Sequence, residues 1–283
     1  MESPIITEEA ITILKQFVQV EGNAITVVNL MKDLVMKRPT KKLNFLNFLL
    51  EFCSHETVKV RETANQIVQQ MHSNGDFRDI IEEYSVMYLR FLISPTPPAL
   101  LFGEDRGRPV VLETWTEAIV KVCLYLFLSL LPKNQKLFKH LVEVYSSTKA
   151  QVTVDFGLAQ GGIKSITVQR TILRELVPAV GNIPINSPEL LELIETCPAG
   201  SEILVTRIVH ILTDKVLPTP ELVDKFRALY KDRSQDVRLL IPVLNGLTKQ
   251  EVVQGLTKFT LLDTNFNGIE IKDFRIGITW LYP

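Results

Sequence analysis

Cysteine is scarce: Cys53, Cys123 and Cys197 are the three in 283 residues, far apart and with no CxxC pair. Neither a disulfide framework nor a thiolate zinc site is suggested, and buried thiols in a reducing compartment are expected. Histidine is as sparse. His55, His72, His140 and His210 stand singly, without the i, i+4 pairing of a zinc helix, and no GxSxG elbow occurs in the chain. No acid, base and nucleophile assemble, so a non-enzymatic protein with no cofactor and no metal is expected. Charge of one sign is missing too: 31 Lys plus Arg stand against 32 Asp plus Glu. That balance argues against a surface built to neutralise phosphate, and direct nucleic-acid binding is not expected. The longest apolar run, Val122 to Leu131, falls far short of the ~20 residues that span a bilayer and reads as a buried helix. The opening Met1-Glu2-Ser3-Pro4, followed by Glu8 and Glu9, lacks the basic start and apolar run of a secretory signal. An intracellular protein with no membrane segment is expected.

Two near-motifs fail on chemistry. Gly157 to Ser165 nearly spells a phosphate-binding loop, but Ile163 occupies the place after Gly162 where a lysine must reach the phosphates. Asp263, Asn265, Asn267 and Gly268 copy the first half of an EF-hand loop; position 8 is then Glu270, and position 12, where a bidentate glutamate closes the calcium shell, is Phe274. The second reads as a polar turn.

What is present in quantity is hydrophobic residues, 46% of the chain, arranged with helical period. Breaks at Gly22, Pro39, Ser54 and Gly75 separate helices over about 7–20, 23–37, 42–53, 58–72 and 76–93. Val60, Ala64, Ile67, Val68 and Met71 follow the period of the fourth, and Val60-Arg61 with Ala64 resembles the Val-Arg-x-x-Ala core of HEAT repeats; Asp236-Val237-Arg238 shows the same element. Lys37, Arg38, Lys41 and Lys42 put four cations in six positions, readable as a nuclear import signal, a contact to RNA phosphate, or a solvated corner between two helices.

Pro95, Pro97, Pro98, Gly103, Gly107 and Pro109 predict a loop over 95–113, the best boundary in the chain, closed by a capping box with Thr114 as N-cap and Glu117 three residues on. A helical pair follows over 114–148. Val152, Val154 and Phe156 then alternate with polar residues, and Gly157, Gly161 and Gly162 interrupt, so 149–167 is expected to be a non-helical hairpin or loop. From 168 to 259 the helical pattern resumes. Ser187-Pro188-Glu189 and Thr219-Pro220-Glu221 each set a hydroxyl at an N-cap, a proline at the first helical position and a carboxylate in the positive first turn. After the second start, Leu222, Val223, Phe226, Leu229 and Tyr230 form one apolar stripe, with Lys225, Arg227 and Lys231 off it. The fold class expected is all-α, a HEAT- or armadillo-like α-solenoid of antiparallel helix pairs.

Four strings in this last region carry a resemblance: NSPELL at 186–191, LVTR at 204–207, LTDKV at 212–216 and DVRLLIPVLNGL at 236–247. They resemble the C-terminal region of symplekin, the scaffold of pre-mRNA 3′-end cleavage and polyadenylation. LFGEDRGR at 101–108, the stretch 115–137 and HLVEVYSS at 140–147 are similar more loosely. Against that pattern 149–167 reads as an insertion and 260–283 as a divergent tail, as in a truncated splice form or a gene model translated through intron. The family's N-terminal HEAT domain, which engages a phosphatase acting on RNA polymerase, has no counterpart here.

The resemblance implies a non-catalytic nuclear scaffold that holds subunits of the cleavage and polyadenylation specificity factor together with the cleavage stimulation factor. Arg207, Lys215, Arg227 and Arg238 lie in or beside the similar strings and are the protein-binding candidates, with structural pairing to Glu or Asp the alternative for each. A generic HEAT or armadillo adaptor in another process, such as transport, remains the other reading.

Overall fold

The computed structural model describes residues 8–17, 23–38, 41–154, 159–232 and 237–259. Among them the secondary structure is twelve α-helices and four 3-10 helices with no strand; a single isolated bridge pairs Gly103 with Arg108. The all-α expectation holds, and helices adjacent in sequence pack on one another. The chain divides into two compact units, residues 1–134 with 147–175, and residues 135–146 with 176–283.

The first unit holds α1 (Glu8–Phe17), α2 (Ala24–Lys37), α3 (Lys42–Phe52), α4 (Val58–Ser73), α5 (Arg78–Phe91) and α6 (Glu117–Leu130). Its core is the stripe each helix turns inward: Val28, Met31 and Val35 from α2, Phe45, Leu46 and Leu49 from α3, Ala64 and Val68 from α4, Ile81 and Leu89 from α5, Val120 and Phe127 from α6. The apolar run of α6 is buried in this unit, and no helix among the described residues is long and apolar enough to cross a membrane. The basic corner between α2 and α3 is partly used by the fold. Lys37 pairs with Asp33 at 3.0 Å, and the Lys42 ammonium lies 4.4 Å from the centre of the Phe77 ring.

The polar, glycine-rich loop belongs to this first unit and closes on it. Gly103 and Arg108 exchange backbone hydrogen bonds at 2.7 and 3.0 Å, with Gly103 and Gly107 both at positive φ. The turn thus formed drives two arginines inward, to 5% and 8% exposure. Arg106 donates to the Tyr88 hydroxyl at 2.7 Å and to Ser54 Oγ at 3.1 Å; Arg108 donates to the carbonyls of Ser54 at 2.6 Å and Leu101 at 2.8 Å and pairs with Glu56 at 3.0 Å. A side chain at Gly107 would meet Glu56 and His55, so the LFGEDRGR string is one closed tether between the ends of α3, α4 and α5.

Two expectations are corrected. The N-cap of α6 is Thr116, not Thr114: its Oγ1 accepts from Ile119 N, and Trp115 just before it is fixed by an indole bond to the Ser94 carbonyl at 3.1 Å. The stretch 149–167 is not a hairpin or loop. Helix α7 (Phe138–Val154) and helix α8 (Ala159–Val180) take up most of it. Valine costs a helix only a few tenths of a kcal/mol, and a helix already nucleated extends one hydrogen bond per residue, so three alternating residues do not stop it. Gly161 and Gly162 fall in the first turn of α8. The side chains of 149–165, which include the phosphate-loop-like string, lie outside the described residues, as do Gly157, the import-signal residues Pro39 and Thr40, and the whole tail 260–283 with its EF-hand-like half.

The second unit takes the 3-10 turn Gln135–Leu137, the first part of α7, the end of α8, α9 (Pro188–Thr196), α10 (Glu202–Thr213), α11 (Pro220–Asp232), a ten-residue 3-10 helix (Val237–Gly246) and α12 (Lys249–Phe259). Both hydroxyl–proline starts are where the sequence places them, with different bonding: Pro188 opens α9 after Ser187, whose hydroxyl donates to Glu189 at 3.1 Å and makes no backbone cap bond, while Thr219 Oγ1 accepts from Leu222 N at 3.3 Å as α11 begins. Leu190, Ile194, Leu204, Val205, Ile208, Val209, Leu222, Phe226 and Val243 make the core. All three cysteines are free and buried.

Candidate docking groove

Helix α10 is apolar on more than one side. Leu204, Val205, Ile208, Val209 and Leu212 face the core. Arg207, His210, Ile211 and Asp214 follow at i, i+3, i+4 and i+7, and so share the opposite face. That face is one wall of a groove of about 470 Å³, within the range of ligand-binding clefts. The other wall is the last turn of α8 and the chain leaving it, through Val177, Gly181, Pro184 and Ile185, with Ile183 and Leu212 at the base. Lys215 and Val216 close the end beyond α10.

The sequence itself shapes this wall. Pro178 sits inside α8 two residues from Val180, the last residue of that helix, and Gly181 then donates its N–H to the Val177 carbonyl at 3.2 Å. A Cβ on Gly181 would stand 3.2 Å from that same oxygen, so the helix ends in a tight turn that leaves the side of Val177 open. Val177 is 44% exposed, Val216 55% and the adjoining Leu217 72%, an uncovered aliphatic rim around a polar centre.

The four cationic candidates separate into two kinds. Arg227, on α11, is engaged by Asp224 at 2.7 Å and by both oxygens of Glu251 at 2.7 and 3.0 Å, which ties α11 to α12. Its neighbour Lys225 pairs with Glu195 of α9 at 2.7 Å. Arg238 is exposed at the second position of the long 3-10 helix. Arg207 and Lys215 share the groove, and neither meets a carboxylate within salt-bridge distance among the described residues. Asp214 is the one carboxylate in the lining, so two fixed cations outnumber it there.

Two of the four candidates are therefore brought together, and the sequence reading missed the aliphatic walls that make them a site. A signal for them existed: Ile203, Arg207 and Ile211 recur at i, i+4 and i+8 on the side of α10 away from its core stripe, and Ile203 is 55% exposed. His210, expected to be packed among aliphatic neighbours, is half-buried in the groove wall.

The ionisable groups with shifted affinities lie elsewhere. Burial first, then the guanidinium groups of Arg108 and Arg61, hold His55 down to about 4, neutral, with its Nδ1 accepting from Thr57 N at 3.0 Å. Burial pushes the Cys123 thiol up to about 12 and Cys53 higher still. These are groups of the core, and among the described residues no three His, Cys, Asp or Glu side chains converge to hold a metal ion. What the groove can do chemically is bind: it offers hydrogen-bond donors and cationic charge flanked by aliphatic surface.

No family model matches the chain. No solved structure matches it at a significant level.

Proposed function

We propose that this chain is a non-catalytic scaffold in nuclear mRNA 3′-end cleavage and polyadenylation, holding subunits of the cleavage and polyadenylation specificity factor near the cleavage stimulation factor. The observation that carries the reading is the company kept by Arg207 and Lys215. They come from LVTR and LTDKV, two of the strings that resemble symplekin, and they share one groove, where neither meets a carboxylate within salt-bridge distance among the described residues. A binding surface is selected for what is absent from the free protein, so unpaired cations on an aliphatic rim are what a docking face presents. DVRLLIPVLNGL is used differently: it forms the 3-10 helix packed on α10 and α11, and so supports the wall from behind.

Such a scaffold acts by effective concentration. Two subunits held on one chain meet one another at a local concentration reaching millimolar for short connections, without any new contact between them. Chemistry then belongs to the subunits held. The test is affinity purification of the tagged full chain from nuclear extract. Recovery of cleavage-factor subunits supports the reading; recovery of transport factors alone favours an adaptor in another process; turnover by the purified chain alone would replace both with an enzyme.

A further inference from the structure

The chemistry of the groove singles out its occupant. We infer that it takes an acidic segment of a partner protein, with an aliphatic side chain seated between Val177 and Val216 and carboxylates placed on Arg207 and Lys215. This rests on reading the chain as a protein-binding scaffold and does not depend on which machinery it serves.

Charge decides the sign of the partner. Elsewhere in the same unit Lys225 and Arg227 are consumed by carboxylates of neighbouring helices. In the groove, Arg207 and Lys215 face one carboxylate, Asp214, and neither closes on it within salt-bridge distance. An incoming carboxylate therefore finds the half-buried Arg207 beside Ile211, Ile185 and Pro184, where an ion pair gains more than on an open surface, and the exposed Lys215 at the groove's end. Spacing decides the length. Six residues of helical rise, roughly 9 Å, separate Arg207 from the end of α10 at Thr213, and Lys215 stands two residues further on, about 12 Å away in all. An extended chain rises about 3.3 Å per residue, so carboxylates four positions apart span that distance with three residues between them to meet the aliphatic rim.

The lining also decides against RNA. Single strands are held by stacking successive bases on aromatic rings, and the lining offers no Phe, Tyr or Trp and a single imidazole, His210. Aliphatic walls with separate point charges suit a peptide in which acidic and aliphatic residues alternate in blocks.

The test uses the full-length chain and a fluorescein-labelled peptide with a Leu-Val-Leu centre between paired glutamates, read by anisotropy. A lysine-flanked peptide, a glutamate-flanked Ala-Ala-Ala peptide and a labelled oligouridine are run beside it. The glutamate-flanked Leu-Val-Leu peptide is expected to bind most tightly, and to lose about tenfold affinity for each cation removed in R207Q, K215Q and the double variant. V216S is expected to weaken it several-fold, and K231E, on α11 outside the groove, to leave it unchanged. The conservative glutamine variants keep the fold, checked by circular dichroism, so loss of binding reports the groove. Equal affinity for glutamate- and lysine-flanked peptides, indifference to R207Q/K215Q, or tighter binding of oligouridine would overturn the inference. So would a concentration-dependent dimer that R207Q/K215Q abolishes, since a second copy would then be the occupant. Peptide binding without recovery of cleavage factors from extract removes the proposed process and keeps the groove; the reverse outcome keeps the process and removes the groove.

Discussion

Arg227 closes on Glu251 through two nitrogen–oxygen contacts at 2.7 and 3.0 Å, and the same carboxylate accepts from the backbone and hydroxyl of Thr248, at 2.7 and 2.8 Å. One side chain thus caps the start of α12 and holds that helix to α11. The Arg227 hydrogen bonds first, and the Thr248 backbone next, hold the Glu251 carboxyl down at about 2 against its ordinary 4.5. A carboxyl depressed in the folded state stabilises fully above its unfolded value and loses that contribution as pH falls through the folded one. Stability is therefore expected to drop between about pH 4.5 and pH 2, and E251Q to flatten that limb of a melting-temperature profile. At neutral pH the pair is part-exposed, so R227A is expected to cost about 0.5–1 kcal/mol in urea unfolding.

His55 predicts a second, separate pH limb. Burial, then Arg108 and Arg61, hold it at about 4 against 6.5 when unfolded, so between those values the unfolded chain binds the extra proton. Stability is expected to fall as pH goes from about 6.5 to 4. H55N keeps an acceptor for Thr57 N and removes the titration. The difference between the two melting-temperature curves should be confined to that window.

Arg106 and Arg108 are expected to be the most sensitive cations of the first unit. Removing either takes a donor from buried partners: the Tyr88 hydroxyl and Ser54 Oγ for Arg106, which keep Tyr84 and the Glu51 carbonyl, and the Ser54 and Leu101 carbonyls for Arg108. A buried neutral group deprived of such a partner costs roughly 1–3 kcal/mol. R106M and R108M should lower the urea midpoint by an amount of that order, while K231E on the exposed side of α11 stays within about 0.5 kcal/mol of the parent.

Gly246 is fixed by the shape of its neighbours. A Cβ there would sit 2.4 Å from Val223 Cγ2 and 3.2 Å from Pro218, and Val223 is a buried β-branched side chain with little freedom to yield. G246A is expected to destabilise by about 1–3 kcal/mol through overpacking, read by thermal unfolding.

Local signals in the sequence were read well where the physics is local. Helix starts at Ala24, Lys42 and Val58 fall within a residue of the expected 23, 42 and 58, and both Ser/Thr-Pro-Glu openings begin helices, because a helix start is decided by three or four adjacent residues. The inward stripe of α4 and the buried α6 follow for the same reason. The failures are non-local. Two arginines in a polar, glycine-rich loop look solvated until Ser54, Glu56 and Tyr88 are brought to them from as many as 54 residues away. Thr114 and Thr116 compete for one cap, and the choice rests on Trp115 reaching Ser94. The groove was half legible: Arg207 and Lys215 could be named, while Val177 and Pro184 belong to the site only because α8 ends beside α10.

The ten-residue 3-10 helix carries a further consequence for how the gene can change. With three residues per turn, Leu240, Val243 and Gly246 form one ridge, and Leu239 with Pro242 a second; the four side chains on these ridges are all buried. Inserting or deleting one residue here turns everything after it by a third of a revolution and swings Arg238 or Asn245 toward the core. Length variation in this segment is thus expected to be tolerated only in steps of three, a reading frame written in protein geometry.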